Sequence, residues 1–159
     1  MEWHPISREG YNKIREEIRQ LEEEEMMKVA ERIKQARDEG DLSENAEYHG
    51  QREQLAHLER KAQQLKSKLA NCEIVDKSTM PKGMITFGST ITVRDLDDDE
   101  EERYEFVGPG EEDYTGEVMK ILTTSPLASR LIGKKVDDTV NIEIPSGLRR
   151  LQVVEIIDD

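Results

Sequence analysis

The sequence predicts an α+β protein, in which an N-terminal antiparallel α-helical hairpin precedes a small β-sheet domain with one short helix. Residues 8–75 contain no proline and are rich in the helix-forming residues Glu, Lys, Arg, Gln, Leu and Ala. Residues 81–159 hold most of the glycine, proline, threonine and valine. Because the composition changes near residue 76, we expect a hairpin over 1–75, a linker over 76–80 and a β domain over 81–159.

The first predicted helix starts after Ser7, a typical N-cap residue that follows Pro5 and precedes an acidic residue. Residues suited to a buried stripe then recur at steps of three and four, and the pattern ends at Gly40. This first stripe consists of Tyr11, Ile14, Ile18, Leu21, Glu25, Val29, Ile33 and Ala36. Glu25 is its one polar member, and the adjacent Met26 is an alternative occupant of that position.

A second stripe follows a heptad pattern with alternating steps of three and four. Its members are Tyr48, Gln51, Leu55, Leu58, Ala62, Leu65, Leu69 and Cys72. Neither stripe can be buried by its own helix, so we expect the two helices to fold back on each other as an antiparallel coiled coil. Helices of about 30 residues would give a projecting arm roughly 45 Å long.

Short segments rich in β-branched and aromatic residues, separated by turn residues, predict five strands in the second half. They are Ile91–Val93, Tyr104–Val107, Glu117–Ile121, Thr139–Ile144 and Leu151–Ile157. Ser125 and Pro126 are typical of a helix start and Gly133 of a helix end, which predicts one short helix over Leu127–Ile132. The acidic run from Asp95 to Glu102 is expected to be a solvated hairpin loop.

Composition and charge restrict the classes of partner. The net charge of -13 would repel the chain as a whole from nucleic acid, so we do not expect it to bind DNA or RNA by itself. Cys72 is the only cysteine, which excludes an intrachain disulfide. The sequence shows no apolar signal core and no membrane-spanning run, so we expect a cytoplasmic protein without a membrane partner.

The predicted connection between the two helices carries a pair of carboxylates, Asp41 and Glu44. Their spacing resembles a capping box in which Asp41 caps the second helix, and Ser43 is an alternative cap. The apolar Leu42 between them is instead typical of a surface that docks into a partner. Two carboxylates alone would bind Mg²⁺ weakly, but beside a site that already holds Mg²⁺ and a phosphodiester they can steady a second ion.

At this motif the sequence resembles the bacterial Gre family of transcript cleavage factors, and the likeness covers essentially the whole chain in the family's domain order. The matching segments are residues 40–49 (GDLSENAEYH), 76–88 (DKSTMPKGMITFG), 125–135 (SPLASRLIGKK) and 144–147 (IPSG). The resemblance implies an FKBP-like fold for residues 81–159, which would dock on bacterial RNA polymerase at the rim of its secondary channel. The coiled coil would enter that channel.

The resemblance also implies the roles of the tip residues. Asp41 and Glu44 match the family's acidic pair, which acts on the second catalytic Mg²⁺ of a backtracked complex, so that the 3′ end of the RNA is removed by hydrolysis and arrested complexes are rescued. The Mg²⁺ would be held jointly with the polymerase and not stably by the free protein, which would stimulate the polymerase rather than be an enzyme itself. Ser43, Asn45 and Tyr48 match the tip motif and would support the pair, although Tyr48 also lies on the second stripe, where it would pack against the first helix.

Three basic residues near the tip are candidates for contact with backtracked RNA. Arg37 and Arg52 match basic positions that the family uses there, and Lys34 lies nearby in the sequence. Pairing the two stripes places Arg37 and Arg52 within roughly 10 Å of each other along the arm. The alternative is that the three residues form solvated ion pairs with neighbouring glutamates.

One departure from the family pattern lies in the β domain. Asp137 and Asp138 stand where the family usually has Gly-Asp in a turn. A turn that needs a left-handed residue would be strained by this substitution, unless Asp137 tolerates that conformation as Asp and Asn sometimes do.

Three other functions stay open from the residues alone. The chain could be an inhibitory channel binder without cleavage activity, which the intact Asp41 and Glu44 argue against. It could be a prolyl isomerase, given the FKBP-like domain, but fold does not establish function and the sequence has few aromatic residues to line a proline pocket. It could also be a coiled-coil adaptor, in which case replacing the acidic pair would leave its activity unchanged.

Overall fold

The computed structural model of the chain describes residues 3–40 and 45–157. Besides its α-helices, the chain contains a π-helical segment and a 3₁₀ turn. The helical elements are α1 (Arg8–Arg19), a π segment (Gln20–Glu25), α2 (Met26–Asp38), α3 (Ala46–Ala70), a 3₁₀ turn (Lys77–Thr79) and α4 (Pro126–Leu131). The α+β class predicted from the sequence is thereby confirmed.

The strands form two sheets. They are β1 (His4–Ile6), β2 (Cys72–Ile74), β3 (Thr90–Asp95), β4 (Glu101–Val107), β5 (Val118–Leu122), β6 (Thr139–Ile144) and β7 (Gly147–Ile157). The strands β1 and β2 form a two-stranded parallel sheet, and the other five are ordered β5-β4-β3-β7-β6. All pairs in the larger sheet are antiparallel except β4 with β5.

The chain divides into two compact units at positions that differ from the expected linker. The hairpin unit is Tyr11–Asn71, and the β unit combines Met1–Gly10 with Cys72–Asp159. The N-terminal residues belong to the β unit because β1 pairs with β2. A Cβ at Gly108 would lie 2.3 Å from the carbonyl oxygen of Pro5, so only glycine permits β1 to pack this closely against the end of β4.

In the hairpin unit, two lines of contact show that α3 runs antiparallel to the preceding helices. The side chain of Asn45 bonds to Ala36 at one end, and Lys66 Nζ lies 2.6 Å from Glu22 Oε2 farther along. The apolar core between the helices contains Leu21, Val29, Ile33, Leu58 and Ala62, with Met26, Tyr48, Leu55 and Leu65 packed against it. The predicted second stripe is confirmed from Tyr48 to Leu69, because each of these seven members is at least partly buried on α3. Its predicted eighth member, Cys72, lies instead in β2, beyond the end of the helix.

The first stripe was predicted wrongly at one position. Glu25 is exposed, whereas Met26 is partly buried and packs against the hairpin core. The π segment explains the change, since its wider turn moves the core position after Leu21 from four residues ahead to five. From Met26 onward the stripe continues through Val29, Ile33 and Ala36 as predicted.

The β unit has a core built mainly from the inner face of the larger sheet and from α4. Its most deeply buried residues include Ile91, Val93, Tyr104, Phe106, Leu131, Leu151 and Val153, none more than 1% exposed. All five predicted strands are present, with differences at the ends, and Thr139–Ile144 agrees at both ends. The short helix begins one residue earlier than predicted, at Pro126, because Ser125 caps it by accepting a hydrogen bond from Ala128 N at 3.2 Å.

The acidic run from Asp95 to Glu102 is not entirely a solvated loop, which corrects the expectation from sequence. Asp95 ends β3 and is only 6% exposed, and its carboxylate accepts hydrogen bonds from Asp97 N and from Arg149 Nε. Arg149 also donates to Glu102 at 2.8 Å. The middle of the run is exposed, as predicted.

Among the helices of residues 3–40 and 45–157, none has both the length and the apolar character that a membrane span requires.

Candidate functional site at the hairpin tip

The predicted site residues fall into two groups with respect to the structure. Asp41, Ser43 and Glu44 lie outside the described residues. The remaining members, Lys34, Arg37, Asn45, Tyr48 and Arg52, are described, and they flank the connection from both helices. The described part of the site therefore consists of the two helix ends on either side of residues 41–44.

The first helix end is formed by α2, which ends at Asp38. Glu39 is its C-cap, and its backbone N–H donates to the carbonyl oxygen of Ala36 at 3.2 Å. Gly40 follows with a φ of 138°, a value that favours glycine. The predicted end of the first helix at Gly40 is thereby confirmed.

The second helix end is capped by Asn45, whose side chain makes two hydrogen bonds of opposite sense. Its Oδ1 accepts from the backbone N–H of Tyr48 at 3.0 Å, which is the N-cap bond of α3. Its Nδ2 donates to the carbonyl oxygen of Ala36 in α2 at 2.7 Å. One partly buried amide thus satisfies an orphan donor of α3 and gives a second donor to the Ala36 carbonyl, which also accepts from Glu39 N.

The capping box that was the structural alternative for Asp41 and Glu44 does not start α3. It placed Asp41 at the cap, with Ser43 as the alternative, whereas α3 begins at Ala46 and Asn45 is its cap. The physical reason is that Asn, Asp and Ser are about equally good N-caps, so three candidates close together in sequence cannot be separated by type alone. The distinguishing signal is the second bond to Ala36, for which the amide has a donor and a carboxylate has none.

Tyr48 lies on the buried side of α3. Its side chain is partly buried and packs against the hairpin core. Its ring meets that of His49 edge-on, with centroids 5.4 Å apart and an angle of 69° between planes. The packing role that was the alternative for Tyr48 is thereby confirmed, and its support of the acidic pair stays a prediction.

Lys34, Arg37 and Arg52 are all exposed. Within residues 3–40 and 45–157, none of them forms an ion pair, whereas Arg19 of α1 pairs with Glu16 at 2.7 Å and Glu23 at 3.3 Å. The alternative that these three residues serve as ion-pair partners of neighbouring glutamates therefore finds no support in the described structure. Their contact with RNA and their proximity to one another stay predictions.

Among the described residues, no group of three or more His, Cys, Asp or Glu side chains could hold a metal ion. The two carboxylates implied as Mg²⁺ ligands, Asp41 and Glu44, are oxygen donors of the type that Mg²⁺ prefers, but two of them cannot fill six positions around the ion. The donor set fits a shared ion better than a resident one.

A described cavity lies elsewhere, in the β unit. It has a volume of about 690 Å³ and is lined by residues that include Ser7, Arg8, Lys77, Phe87 and Glu105. It contains none of the predicted site residues, and its lining mixes charges of both signs. Its size therefore gives no reason to prefer it to the tip as the functional site.

Comparison with known proteins gives concordant matches for the two halves of the chain. Residues 4–74 match the family described as "Transcription elongation factor, N-terminal", and residues 80–158 match "Transcription elongation factor, GreA/GreB, C-term". Transcription elongation factor GreA of Psychrobacter sp. (strain PRwf-1) is 37% identical over 99% of both chains. GreA of Pelobacter propionicus is 40% identical over 96% of this chain and 95% of that protein, and GreA of Xanthomonas axonopodis pv. citri is 41% identical over 96% of each. On these matches, which cover nearly its full length, the chain belongs to the GreA/GreB family of transcription elongation factors.

Proposed function

We propose that this elongation factor binds bacterial RNA polymerase, inserts its coiled coil into the secondary channel and stimulates the polymerase's own hydrolytic cleavage of backtracked RNA. Removal of the RNA 3′ end would return an arrested complex to synthesis. In this proposal the chain is not itself an enzyme. It contributes Asp41 and Glu44 to a catalytic site that the polymerase supplies.

The observation that carries the proposal is the position of the α3 cap. Asn45 caps the helix and α3 begins at Ala46, so the N-cap position that the spacing first suggested for Asp41 belongs to Asn45. In a family of elongation factors, a pair of carboxylates just before a cap that another residue supplies supports a role toward a partner.

The chemistry of the pair suits a magnesium site completed by two proteins. Mg²⁺ is usually held by one or two protein carboxylates together with waters and substrate phosphates. When bound, a second ion in such a site activates water and stabilises the leaving oxygen of the cleaved phosphodiester. The task of Asp41 and Glu44 would be to hold negative oxygens at the position where that ion is weakly bound by the polymerase alone.

The basic residues would act on the RNA rather than on the metal ion. Lys34, Arg37 and Arg52 are exposed and form no ion pair within the described ranges. The chain as a whole has a charge of -13, so these residues would form a local basic surface at which the phosphates of the extruded RNA are not repelled. Arginine suits this role because its planar guanidinium can bind a phosphate with two hydrogen bonds.

The test measures RNA shortening in a halted, backtracked elongation complex with wild-type protein, Asp41→Ala and Glu44→Ala. We expect each substitution to lower the cleavage rate by about a hundredfold or more, as removal of a catalytic electrostatic group commonly does. Binding, measured by competition with labelled wild-type protein, should stay unchanged. Asp38→Ala is the matched control, because it removes one exposed carboxylate from the end of α2 and should retain stimulation.

Two outcomes would contradict the proposal in different ways. Binding to polymerase without any shortening beyond the polymerase's own rate would identify a non-cleaving channel binder. Full stimulation by both alanine variants would mean that the acidic pair has no part in the reaction and that the tip acts by occupying the channel.

A further inference from the structure

We propose that Asn45 is a positioning residue for the acidic pair, because its side-chain amide ties the end of α2 to the start of α3 and so fixes both ends of the connection that carries Asp41 and Glu44. This inference rests on the proposed function. It adds a residue whose effect on cleavage would arise through the tip's geometry and not through contact with the metal ion or RNA.

The geometry requires an amide at this position. The Oδ1 atom accepts from Tyr48 N at 3.0 Å while the Nδ2 atom donates to Ala36 O at 2.7 Å, so one side chain uses a donor and an acceptor at once. Aspartate would keep the acceptor for Tyr48 but would place a second oxygen against the carbonyl of Ala36. Serine would keep the cap, and its hydroxyl is too short to span both partners.

The bond to Ala36 is nonlocal, whereas the bond to Tyr48 is not. Asn45 and Ala36 are nine positions apart and belong to different helices. The bond therefore fixes the end of α2 against the start of α3. Tyr48 strengthens this junction, since its side chain packs against the hairpin core one turn into α3.

A fixed junction between α2 and α3 matters for carboxylates that must reach a reacting centre on another protein. The cleavage rate depends on where the carboxylates are held, and displacements of about 1 Å can lower a rate by about a hundredfold. Docking of the protein on polymerase depends on other surfaces. Loss of the bond between Asn45 and Ala36 should therefore lower the rate of cleavage at saturation and leave the concentration needed for half-saturation nearly unchanged.

The experiment uses the full-length chain carrying Asn45→Asp, with cleavage by a halted elongation complex measured over a range of factor concentrations. We expect the saturating rate to fall about ten- to a hundredfold and the half-saturating concentration to change by less than about twofold. Far-UV circular dichroism should show helix content equal to wild type, because aspartate is as good an N-cap as asparagine. A variant that had merely lost structure would change the half-saturating concentration as well.

Two further variants separate geometry from charge. Asn45→Ser keeps the helix cap without adding a charge, so it should show the same loss of saturating rate as Asn45→Asp. Asn12→Asp makes the same chemical change at an exposed position on α1 and should behave as wild type. Full activity of Asn45→Ser beside an impaired Asn45→Asp would overturn the proposal and assign the effect to charge at the tip.

Amide hydrogen exchange distinguishes failure of this inference from failure of the proposed function. In Asn45→Asp, amides of residues 38–44 should exchange faster than in wild type while Tyr48 N–H stays protected. That change is expected even if the wild-type protein proved unable to stimulate cleavage. Unchanged exchange across residues 38–44, together with an unchanged saturating rate, would show that the bond to Ala36 does not position the tip.

Discussion

Asp137 has a φ of 76°, which lies in the left-handed region that costs most L-residues about 1–2 kcal/mol. Its backbone N–H nevertheless donates to Val153 O at 2.8 Å, and the neighbouring Asp138 carboxylate accepts from Lys135 N at 2.8 Å. The turn is therefore held by hydrogen bonds on both sides. Of the two outcomes expected from the sequence, the tolerant left-handed aspartate is the one found.

This strain gives a prediction for a pair of neighbouring substitutions. Asp137→Gly should raise the free energy of unfolding by about 0.5–1 kcal/mol, because glycine adopts positive φ without a Cβ penalty. Asp138→Gly should lower it by about 1 kcal/mol, since it removes the acceptor for Lys135 N. Urea unfolding with a constant m-value measures both. Destabilisation by Asp137→Gly would mean that its side chain makes a contribution greater than the strain.

At the scale of the secondary-structure element, the π segment Gln20–Glu25 is the main irregularity of the hairpin unit. A π segment behaves as one extra residue within a helix. It places Glu25 in solvent and Met26 in the core, and Lys66 on α3 lies 2.6 Å from Glu22 within it. With the π segment, Met26 takes the core position that a regular helix would give to Glu25.

Deletions test this account directly. Removing Glu25 should convert the segment to regular α-helix and leave Met26 in the core, so the thermal midpoint of the hairpin's helical signal should stay the same or rise. Removing Lys28 shortens the chain equally, but regular helix spacing would then bring Glu25 to the core position in place of Met26. We expect that deletion to cost about 1–3 kcal/mol, because an unpaired polar group would be buried.

Circular dichroism at increasing temperature compares the two deletions with wild type. Equal destabilisation by both would contradict the account, since it would show that the π segment is needed for a reason other than placing Met26.

The same elements show how far sequence reasoning reaches. The second stripe, from Tyr48 to Leu69, and strand Thr139–Ile144 could be predicted because burial repeats there with the period of the element. Glu25 was misplaced because periodicity assumes a regular helix. The cap at Asn45 was missed because its identity depends on Ala36, nine positions away, and β1 was missed because its partner β2 is a nonlocal segment.

At the scale of the whole chain, electrostatics are dominated by excess negative charge. The sequence has 36 acidic and 23 basic residues and an isoelectric point near 4.8. Most of the described ion pairs join exposed side chains, and such pairs contribute only about 0–1 kcal/mol each. The exception is Arg149, which lies 3.0 Å from Asp95 and 2.8 Å from Glu102 in a partly buried cluster where the hydroxyl of Tyr104 also donates to Glu102.

Two effects of acid then oppose each other, which predicts a stability maximum on the acid side of neutrality. As the pH falls from about 7 toward the isoelectric point, loss of net negative charge relieves self-repulsion, so the free energy of unfolding should hold or rise.

The pKa of Asp95 is lowered in the folded chain, first by the N–H of Asp97 and then by Arg149, against the opposing effect of burial. A carboxyl whose pKa is lowered by folding stabilises the protein above its unfolded value of about 3.9 and loses that contribution as the pH falls through its folded value. We therefore expect stability to decline below about pH 4, and to decline less steeply in Asp95→Asn, so that the difference between variant and wild type is largest near neutrality and narrows in acid. Urea titrations at a series of pH values measure that difference, and a difference independent of pH would show that the carboxylate of Asp95 contributes nothing through its proton equilibrium.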